Sequence, residues 1–375
     1  MNKVFLVFGT RPEAIKMCPL YRDLKKDSSL DVSCIVTAQH REMLDSVLRF
    51  FKVVPDYDLD IMCHGQTLTG ITNAVLSGLD KIFEDDRPGL VLVHGDTTTA
   101  MASALAAFYR RIPVGHVEAG LRSFDMYSPY PEEMNRRAVD MLSALHFAAT
   151  PLNVENLKKE GICQDGISVT GNTVIDALRY SYSENYSFSD PFLSKLDFNI
   201  PTVLLTCHRR ENLGDSMKDI FTALKEVMER HPEIQCIFPM HKNQAVRNIF
   251  KSVGIETDKM HCIEPLDYPD FIHLMSRCKV ILSDSGGIQE EAPYFGCPVV
   301  VVRDVTEREE AVEAGTVLLA GTKKDNVKKA LLTLLEDSSV YEKMSKTTNP
   351  YGDGHAGERI RDVIVKWFSR AEEFC

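Results

Sequence analysis

Short aliphatic stretches alternate with amphipathic stretches of helical period along most of the 375-residue chain, and this alternation strongly limits its possible folds. In 42–51, for example, apolar residues recur every three to four positions, which predicts a helix with one buried face. Strands separated by helices form parallel sheets that are covered on both faces, an α/β class. The predicted strands are 3–8, 32–37, 90–95, 113–117, 145–149, 202–207, 234–239, 280–283 and 298–302.

The pattern predicts two doubly wound halves, because a chain of this length exceeds what one hydrophobic core usually supports. Segments 90–118 and 279–304 share one plan: strand, Asp, small-residue turn, helix and short strand. We expect the two halves to face each other across a cleft and to join after 170–178, with 180–200 as the other candidate linker. Ligands of such sheets bind outside the carboxyl ends of the strands.

The composition is that of an ordinary globular protein, with 44% hydrophobic and 26% charged residues. The net charge of −11 argues against a nucleic-acid partner, which needs a basic surface. The apolar runs are too short to cross a membrane, and the first residues lack the features of a signal peptide. The ten cysteines form no CxxC pair, so we expect buried thiols in a cytoplasmic protein.

The stretch VFGTRPEAIK, residues 7–16, carries two cations where the first strand meets the next helix. Pro12 suits the first position of a helix, since its missing N–H is not needed there. Free N–H groups at such a turn attract anions, and Arg11 and Lys16 add charge suited to phosphate. The alternative is an ordinary turn with two solvated cations.

A second anion signal is SDSGGIQEEAP, residues 283–293. Ser285, Gly286 and Gly287 follow a strand, and backbone without side chains lets a phosphate approach closely. Glu290 and Glu291 lie one turn further on, where a carboxylate can accept hydrogen bonds from ribose hydroxyls. Alternatively, both acids only favour the start of the helix.

Acids at strand ends complete the candidate site. Asp96, Glu118 and Glu132 supply carboxylates for general acid–base work, and Arg136 lies four residues after Glu132 on one helix face. His208 follows a strand and can transfer a proton near neutral pH. As alternatives, Asp96 caps a helix and Glu132 forms a surface ion pair with Arg136.

The usual cofactor signatures are missing from the sequence. No Walker loop and no GxGxxG follows a strand, and the histidines, including His40, lack the spacing of metal ligands. We therefore expect no cofactor and no metal.

Eleven short motifs run in order along nearly the whole chain and together resemble the bacterial non-hydrolysing UDP-N-acetylglucosamine 2-epimerases. The motifs are FGTRPEAIKM, TAQHREML, VHGDTTT, IPVGHVEAGLR, YSPYPEEMNR, TGNTVIDAL, HRREN, SDSGGIQEEAP, RDVTER, EAGT and NPYGDG. The resemblance implies the GT-B fold of two Rossmann-like domains, usually in a homodimer. It implies domains at 1–170 (sugar and carboxylates) and 171–358 (UDP), with helix 359–375 crossing back to the first domain.

The resemblance further implies conversion of UDP-GlcNAc to UDP-ManNAc by anti elimination of UDP, through 2-acetamidoglucal, and syn re-addition. Which carboxylate takes the C2 proton stays open. The implied catalytic residues are Asp96, Glu118, Glu132 and His208. The implied substrate-binding residues are Arg11, Lys16, Arg136, Phe271, Ser285, Gly286, Gly287, Glu291 and Arg308.

Four positions depart from the family pattern. Cys207 replaces Gly or Ala before the histidine, and Glu309 replaces Pro after Arg308. Glu42 and Gly65 differ from the motifs through which some relatives bind substrate as an activator, so such activation is not implied here.

Three other functions share parts of this pattern. A GT-B glycosyltransferase has the same fold and nucleotide site, but has no obvious use for several acids around the donor sugar. A hydrolysing epimerase releases free ManNAc and UDP. A sugar-nucleotide sensor binds without turnover, which the intact acids and His208 argue against.

Overall fold

The computed structural model describes residues 2–39, 41–63, 65–255 and 257–373, so His40 and the last two residues of the predicted C-terminal helix lie outside it. Within it the chain forms two compact units. The first comprises Met1–Tyr180 with Tyr351–Cys375, and the second comprises Ser181–Pro350.

The first unit is built on a parallel sheet of seven strands in the order β3-β2-β1-β4-β5-β6-β7. Its strands are β1 (Asn2–Phe8), β2 (Leu30–Val36), β3 (Tyr57–Asp58), β4 (Leu90–His94), β5 (Val114–Ala119), β6 (Leu145–Ala148) and β7 (Ile167–Val169). Its helices are α1 (Arg11–Leu24), α2 (Arg41–Phe51), α3 (Leu68–Asp85), α4 (Thr98–Tyr109), α5 (Glu132–Leu142), α6 (Pro151–Lys159), α7 (Thr173–Ser181) and the C-terminal α15 (Ala356–Glu373).

The second unit is built on a parallel sheet of six strands in the order β10-β9-β8-β11-β12-β13. Its strands are β8 (Thr202–Thr206), β9 (Gln235–Pro239), β10 (Met260–Ile263), β11 (Val280–Ser283), β12 (Val299–Val301) and β13 (Val317–Leu319). Its helices are α8 (Asp215–Arg230), α9 (Gln244–Val253), α10 (Tyr268–Arg277), α11 (Gly286–Glu291), α12 (Glu309–Ala314), α13 (Lys324–Glu336) and α14 (Ser338–Ser345).

The predicted α/β class with two Rossmann-like sheets is confirmed, and each of the nine predicted strands is present. The strands that the sequence pattern missed are β3, β7, β10 and β13, which lie at the four sheet edges. They have two to four residues each, too few to show a period of two.

Each sheet reverses its strand order at one place, and this is where ligands of doubly wound sheets bind. In the first unit the reversal of strand order lies between β1 and β4, which are adjacent and parallel. In the second it lies between β8 and β11, where Thr206 pairs with Ser283 and their hydroxyl oxygens are 2.7 Å apart. The loops that follow these four strands are therefore neighbours in pairs.

Apolar strand residues form the two cores, because helices cover both faces of each parallel sheet. Phe5, Val7 and Val93 are fully buried in the first unit, and Leu205 and Leu282 in the second. Six of the nine described cysteines are buried, and all nine are free thiols. Within the described ranges, no helix has the length and apolar character needed to cross a bilayer.

The first N–H groups of the C-terminal helix α15 bind a buried carboxylate of α7. Asp176, 1% exposed, accepts hydrogen bonds from the N–H groups of Gly357 (2.8 Å) and Ala356 (3.1 Å). These N–H groups lie at the helix start, where no carbonyl of the helix can accept them. Burial nevertheless raises the pKa of Asp176 to about 6, from an ordinary value of 3.8.

This raised pKa predicts a pH-dependent stability. Because the folded chain binds the Asp176 proton more tightly than the unfolded chain, the contribution of Asp176 to the free energy of unfolding should fall as the pH rises from about 4 to about 6, by up to about 3 kcal/mol. Urea unfolding across this pH range should show the stability of the wild type falling relative to that of Asp176→Asn. The exposed-site variant Asp165→Asn should follow the wild type, and parallel curves for all three proteins would contradict the assignment.

Candidate active site

The loop after β1 is held by a carboxylate that the sequence analysis did not single out. Glu13, 2% exposed, accepts hydrogen bonds from the N–H groups of Gly9 (3.1 Å) and Thr10 (2.8 Å). Its other oxygen accepts from the Thr97 hydroxyl at 2.7 Å, in the loop after β4. Helix α1 starts at Arg11, so the prediction that Pro12 takes the first helical position is wrong by one residue.

The loop after β1, the end of β2 and the start of α4 come close together at Gly9. A Cβ at this position would lie 1.9 Å from the Thr37 hydroxyl oxygen and 2.9 Å from that of Thr99. Only glycine fits so close an approach. Arg11, the next residue but one, is partly exposed, and its guanidinium has no hydrogen-bond partner among the described residues. Arg11 is therefore available to an anion at the carboxyl end of β1.

Glu118 is directed by an irregularity in β5. The pairing of β5 with β6 shifts between Val117 and Ala119, and Glu118 adopts a φ of 65°. Such a bulge changes the direction of a side chain, and a positive φ is rare for a residue other than glycine. Its carboxylate oxygen would lie 4.0 Å from a Cβ on Gly95, next to Asp96.

The Glu118 carboxylate is surrounded by donors. It pairs with the Lys16 ammonium, accepts a hydrogen bond from the Asn172 amide at 2.9 Å and lies 3.5 Å from Nε2 of His94. Burial by itself would raise the pKa of Glu118, but the charges of Lys16 and His94 outweigh it and hold that pKa well below its usual range. The group is therefore a fixed anion at neutral pH.

Asp96 is paired with Arg136, which is 4% exposed. The second partner of Arg136 is Glu133, at 3.2 Å. The predicted alternative of an ion pair between Glu132 and Arg136 is wrong, because the first turn of α5 directs Glu133 to the arginine instead. One carboxylate oxygen of Glu132 is buried and has no hydrogen-bond partner among the described residues. The alternative role of Asp96 as a helix cap is also wrong, since Thr97 caps α4.

A buried charge network supports the turn that carries Asp96. The two ring nitrogens of His116 lie 2.8 Å from the Gly95 carbonyl oxygen and 2.5 Å from the Asp140 carboxylate. Asp140 also accepts from Arg122 at 2.6 Å. Burial opposes ionisation of Asp140, yet the charges of His116 and Arg122 hold its pKa below the usual value. The ring therefore anchors the turn through a carbonyl oxygen.

In the second unit, His208 and Ser285 follow adjacent strands at the reversal point. His208 has a side chain that is 45% exposed, and its backbone N–H donates to the buried Asp284 carboxylate at 2.9 Å. Ser285 precedes α11, and its hydroxyl does not cap that helix. Asp284 itself was missed, although it stands within the SDSGG motif.

Arg308 lies over the start of α11. A Cβ on Gly286 would meet its guanidinium at 3.0 Å, whereas one on Gly287 would have no neighbour within 4 Å. Arg308 pairs with Glu290 at 3.0 Å and with Glu307 at 3.6 Å. Glu290, which the sequence suggested for ribose, is thus occupied by a cation, while Glu291 is 9% exposed. The Arg308 side chain remains 15% exposed.

Burial alone would raise the pKa of Glu307, but the hydrogen bond from Arg303 and the charge of Arg308 lower it to about 2. The two arginines are therefore held by an ionised carboxylate. Phe271 is half-buried at the fourth position of α10.

The predicted residues fall into two sets, one in each unit. The first contains Arg11, Lys16, Asp96, Glu118, Glu132 and Arg136, and the second contains His208, Phe271, Ser285, Gly286, Gly287, Glu291 and Arg308. The first set offers carboxylates held by cations, and the second offers backbone N–H groups and arginine for an anion. Within the described ranges, no group of three or more His, Cys, Asp or Glu side chains is arranged to hold a metal.

Two Rossmann-like parallel sheets, each with one reversal of strand order, define the GT-B-like class of folds. The family model described as UDP-N-acetylglucosamine 2-epimerase matches residues 22–365, and the chain belongs to this family.

Individual relatives agree over the full length. UDP-N-acetylglucosamine 2-epimerase of Escherichia coli K12 is 49% identical over 369 residues, 96% of this chain and 98% of the relative. That of Bacillus subtilis is 48% identical, covering 99% and 97%. The crystal structure of UDP-GlcNAc 2-epimerase from Neisseria meningitidis bound to UDP-GlcNAc has a TM-score of 0.90 at 47% identity, covering 97% of this chain and all of the other.

The buried network predicts a large cost for removing its shared anion. Asp140→Asn should lower the free energy of unfolding by about 3–5 kcal/mol, because His116 and Arg122 would lose the buried countercharge. Urea unfolding at neutral pH measures this difference. The exposed-site control Asp165→Asn should stay within about 0.5 kcal/mol of the wild type. An Asp140→Asn protein as stable as the control would show that the network does not support the turn.

Proposed function

We propose that this chain is a non-hydrolysing epimerase that interconverts UDP-GlcNAc and UDP-ManNAc at C2 through 2-acetamidoglucal. The proposal rests on two carboxylates that are each held by a cation, Glu118 by Lys16 and Asp96 by Arg136. Both lie beside the reversal of strand order in the first sheet, in a chain that belongs to the epimerase family. The first unit would act on the hexose, and the second would bind UDP.

In the elimination step a carboxylate takes the C2 proton. The electrons of that C–H bond form the C1–C2 double bond, and the C1–O bond breaks with its electron pair leaving on UDP. Re-addition of UDP to C1 with protonation of C2 on the other face gives the epimer. The low pKa of Glu118 suits it to stabilise positive charge at C1 rather than to remove a proton. Asp96 and Glu132 then remain as candidates for the base.

UDP departure needs positive charge and hydrogen-bond donors on the diphosphate. The free guanidinium of Arg11, the partly exposed Arg308 and the N–H groups of Gly286 and Gly287 provide them in this proposal. His208 would protonate the leaving oxygen. Glu291 would accept hydrogen bonds from the ribose, and Phe271 would stack on uracil.

We further propose that the enzyme is a cytoplasmic homodimer whose product supplies ManNAc for cell-surface polysaccharide. Substrate activation is not part of the proposal, because Glu42 and Gly65 depart from the pattern of activated relatives.

The decisive experiment is proton NMR of UDP-GlcNAc with the purified protein in deuterated buffer. An epimerase replaces the C2 hydrogen by deuterium and produces UDP-ManNAc without any acceptor. A glycosyltransferase leaves the C2 hydrogen in place, and a hydrolysing enzyme accumulates UDP and free ManNAc. A protein that binds UDP-GlcNAc without any spectral change over time would be a sensor, and the proposal would be wrong.

The carboxylates should be needed for turnover but not for nucleotide binding. Asp96→Asn, Glu118→Gln and Glu132→Gln should each lower kcat by at least about 100-fold, because each removes a charge or base at the sugar. The Kd for UDP should change less than threefold, by calorimetry. Glu155→Gln, an exposed control on α6, should keep full activity. Undiminished turnover in one variant would remove that residue from the mechanism.

The nucleotide residues should show the reverse behaviour. Arg11→Met and Glu291→Gln should weaken UDP binding by about 10-fold or more, since each loses a hydrogen bond involving a charged group. Calorimetric titration with UDP measures this, with Lys81→Met as an exposed control. Equal affinity in Arg11→Met and the control would exclude Arg11 from the diphosphate site.

A further inference from the structure

Asp284 is a fully buried carboxylate between β11 and Ser285. One of its oxygens, Oδ2, accepts hydrogen bonds from the backbone N–H groups of His208 and Arg209, both at 2.9 Å. The same oxygen accepts from the Asn212 side-chain amide at 3.1 Å. These three bonds fasten the loop after β8 to the end of β11.

The other oxygen, Oδ1, is buried and has no hydrogen-bond partner among the described residues. A buried carboxylate oxygen without a donor is costly. Nδ1 of His208 lies 3.4 Å from it, and the imidazole side chain is 45% exposed. Hydrogen bonds of this kind are often long before substrate binds.

We propose, on the basis of the proposed function, that Asp284 is a positioning residue for His208. It keeps the proton of the neutral ring on Nδ1, directed at Oδ1, and thereby leaves Nε2 to exchange a proton with the departing UDP oxygen. The two residues are 76 positions apart and belong to different motifs, so their spacing in the sequence does not indicate this pairing.

The other groups that face the imidazole do not replace Asp284. The His241 ring, after β9, stacks on it with the ring centroids 5.8 Å apart and the planes 20° from parallel. Burial, helped by the charges of His208 and Arg247, lowers the pKa of His241, so this neighbour stays neutral at neutral pH. Among the described residues, Asp284 is the carboxylate within ion-pair distance of the His208 ring.

The ring tautomer tests the proposal without reference to activity. Nitrogen-15 NMR of histidine-labelled protein at alkaline pH should show the His208 proton on Nδ1, with His208→Gln used to assign the signals. In Asp284→Asn the proton should move to Nε2, because an amide can donate to Nδ1. Asn212→Ala, which removes a donor to Oδ2 and to the Val302 carbonyl but none to Oδ1, should keep the proton on Nδ1. A wild-type ring protonated on Nε2 overturns the proposal, even if Asp284→Asn fails to fold.

A double-mutant cycle separates positioning from a structural role. Asp284→Asn should lower kcat for epimerisation by at least about 100-fold while KM changes less than threefold. In a His208→Gln background, the same substitution should lower kcat no further. An equal loss in both backgrounds would show that Asp284 only holds the loop, and would overturn the proposal.

The two proposals fail separately. A protein with the Nδ1–H tautomer that depends on Asp284, but with no exchange at C2 of UDP-GlcNAc, overturns the epimerase proposal and keeps the pairing. An active epimerase with the His208 proton on Nε2 overturns the pairing alone.

Discussion

The ion pair between Lys16 and Glu118 is the interaction on which the first unit depends. An isolated buried charge costs several kcal/mol, so each partner must stay where the other lies. Glu118 reaches Lys16 because β5 bulges at that residue, and Asn172 supplies a further donor from the start of α7. The helix after β1, the fifth strand and a later helix are therefore fixed relative to one another by a single carboxylate.

The same logic extends outward from the site. Asp96 is held by Arg136, whose second partner is the fully buried Glu133. His116 joins the Gly95 carbonyl to Asp140 and so orients the turn that carries Asp96. Electrostatic catalysis requires charges that do not reorganise during the reaction. Asp96 is held through a network that contains two further buried carboxylates, Glu133 and Asp140.

The second unit has the same kind of sheet but presents different groups at its reversal of strand order. Its reversal point presents backbone N–H groups and a guanidinium, which suit a diphosphate, and its acids serve as holders of cations. Glu290 and Glu307 orient Arg308, while Asp284 shapes the loop of His208. Carboxylates near an anion site would repel the ligand unless each were neutralised by such a partner.

The sequence by itself determined the α/β class, the nine main strands and the loops in which the candidate site residues lie. Strand and helix periods are local, and loop residues such as Gly9 and Ser285 stand next to the strands that position them. The tertiary structure alone decided the pairings: Arg136 with Glu133 instead of Glu132, and Asp284 with the backbone of the His208 loop. Neighbouring acids on a helix look alike in sequence. Only the packing of distant strands selects which one meets a cation, because the cost of burying an unpaired charge is set by three-dimensional surroundings.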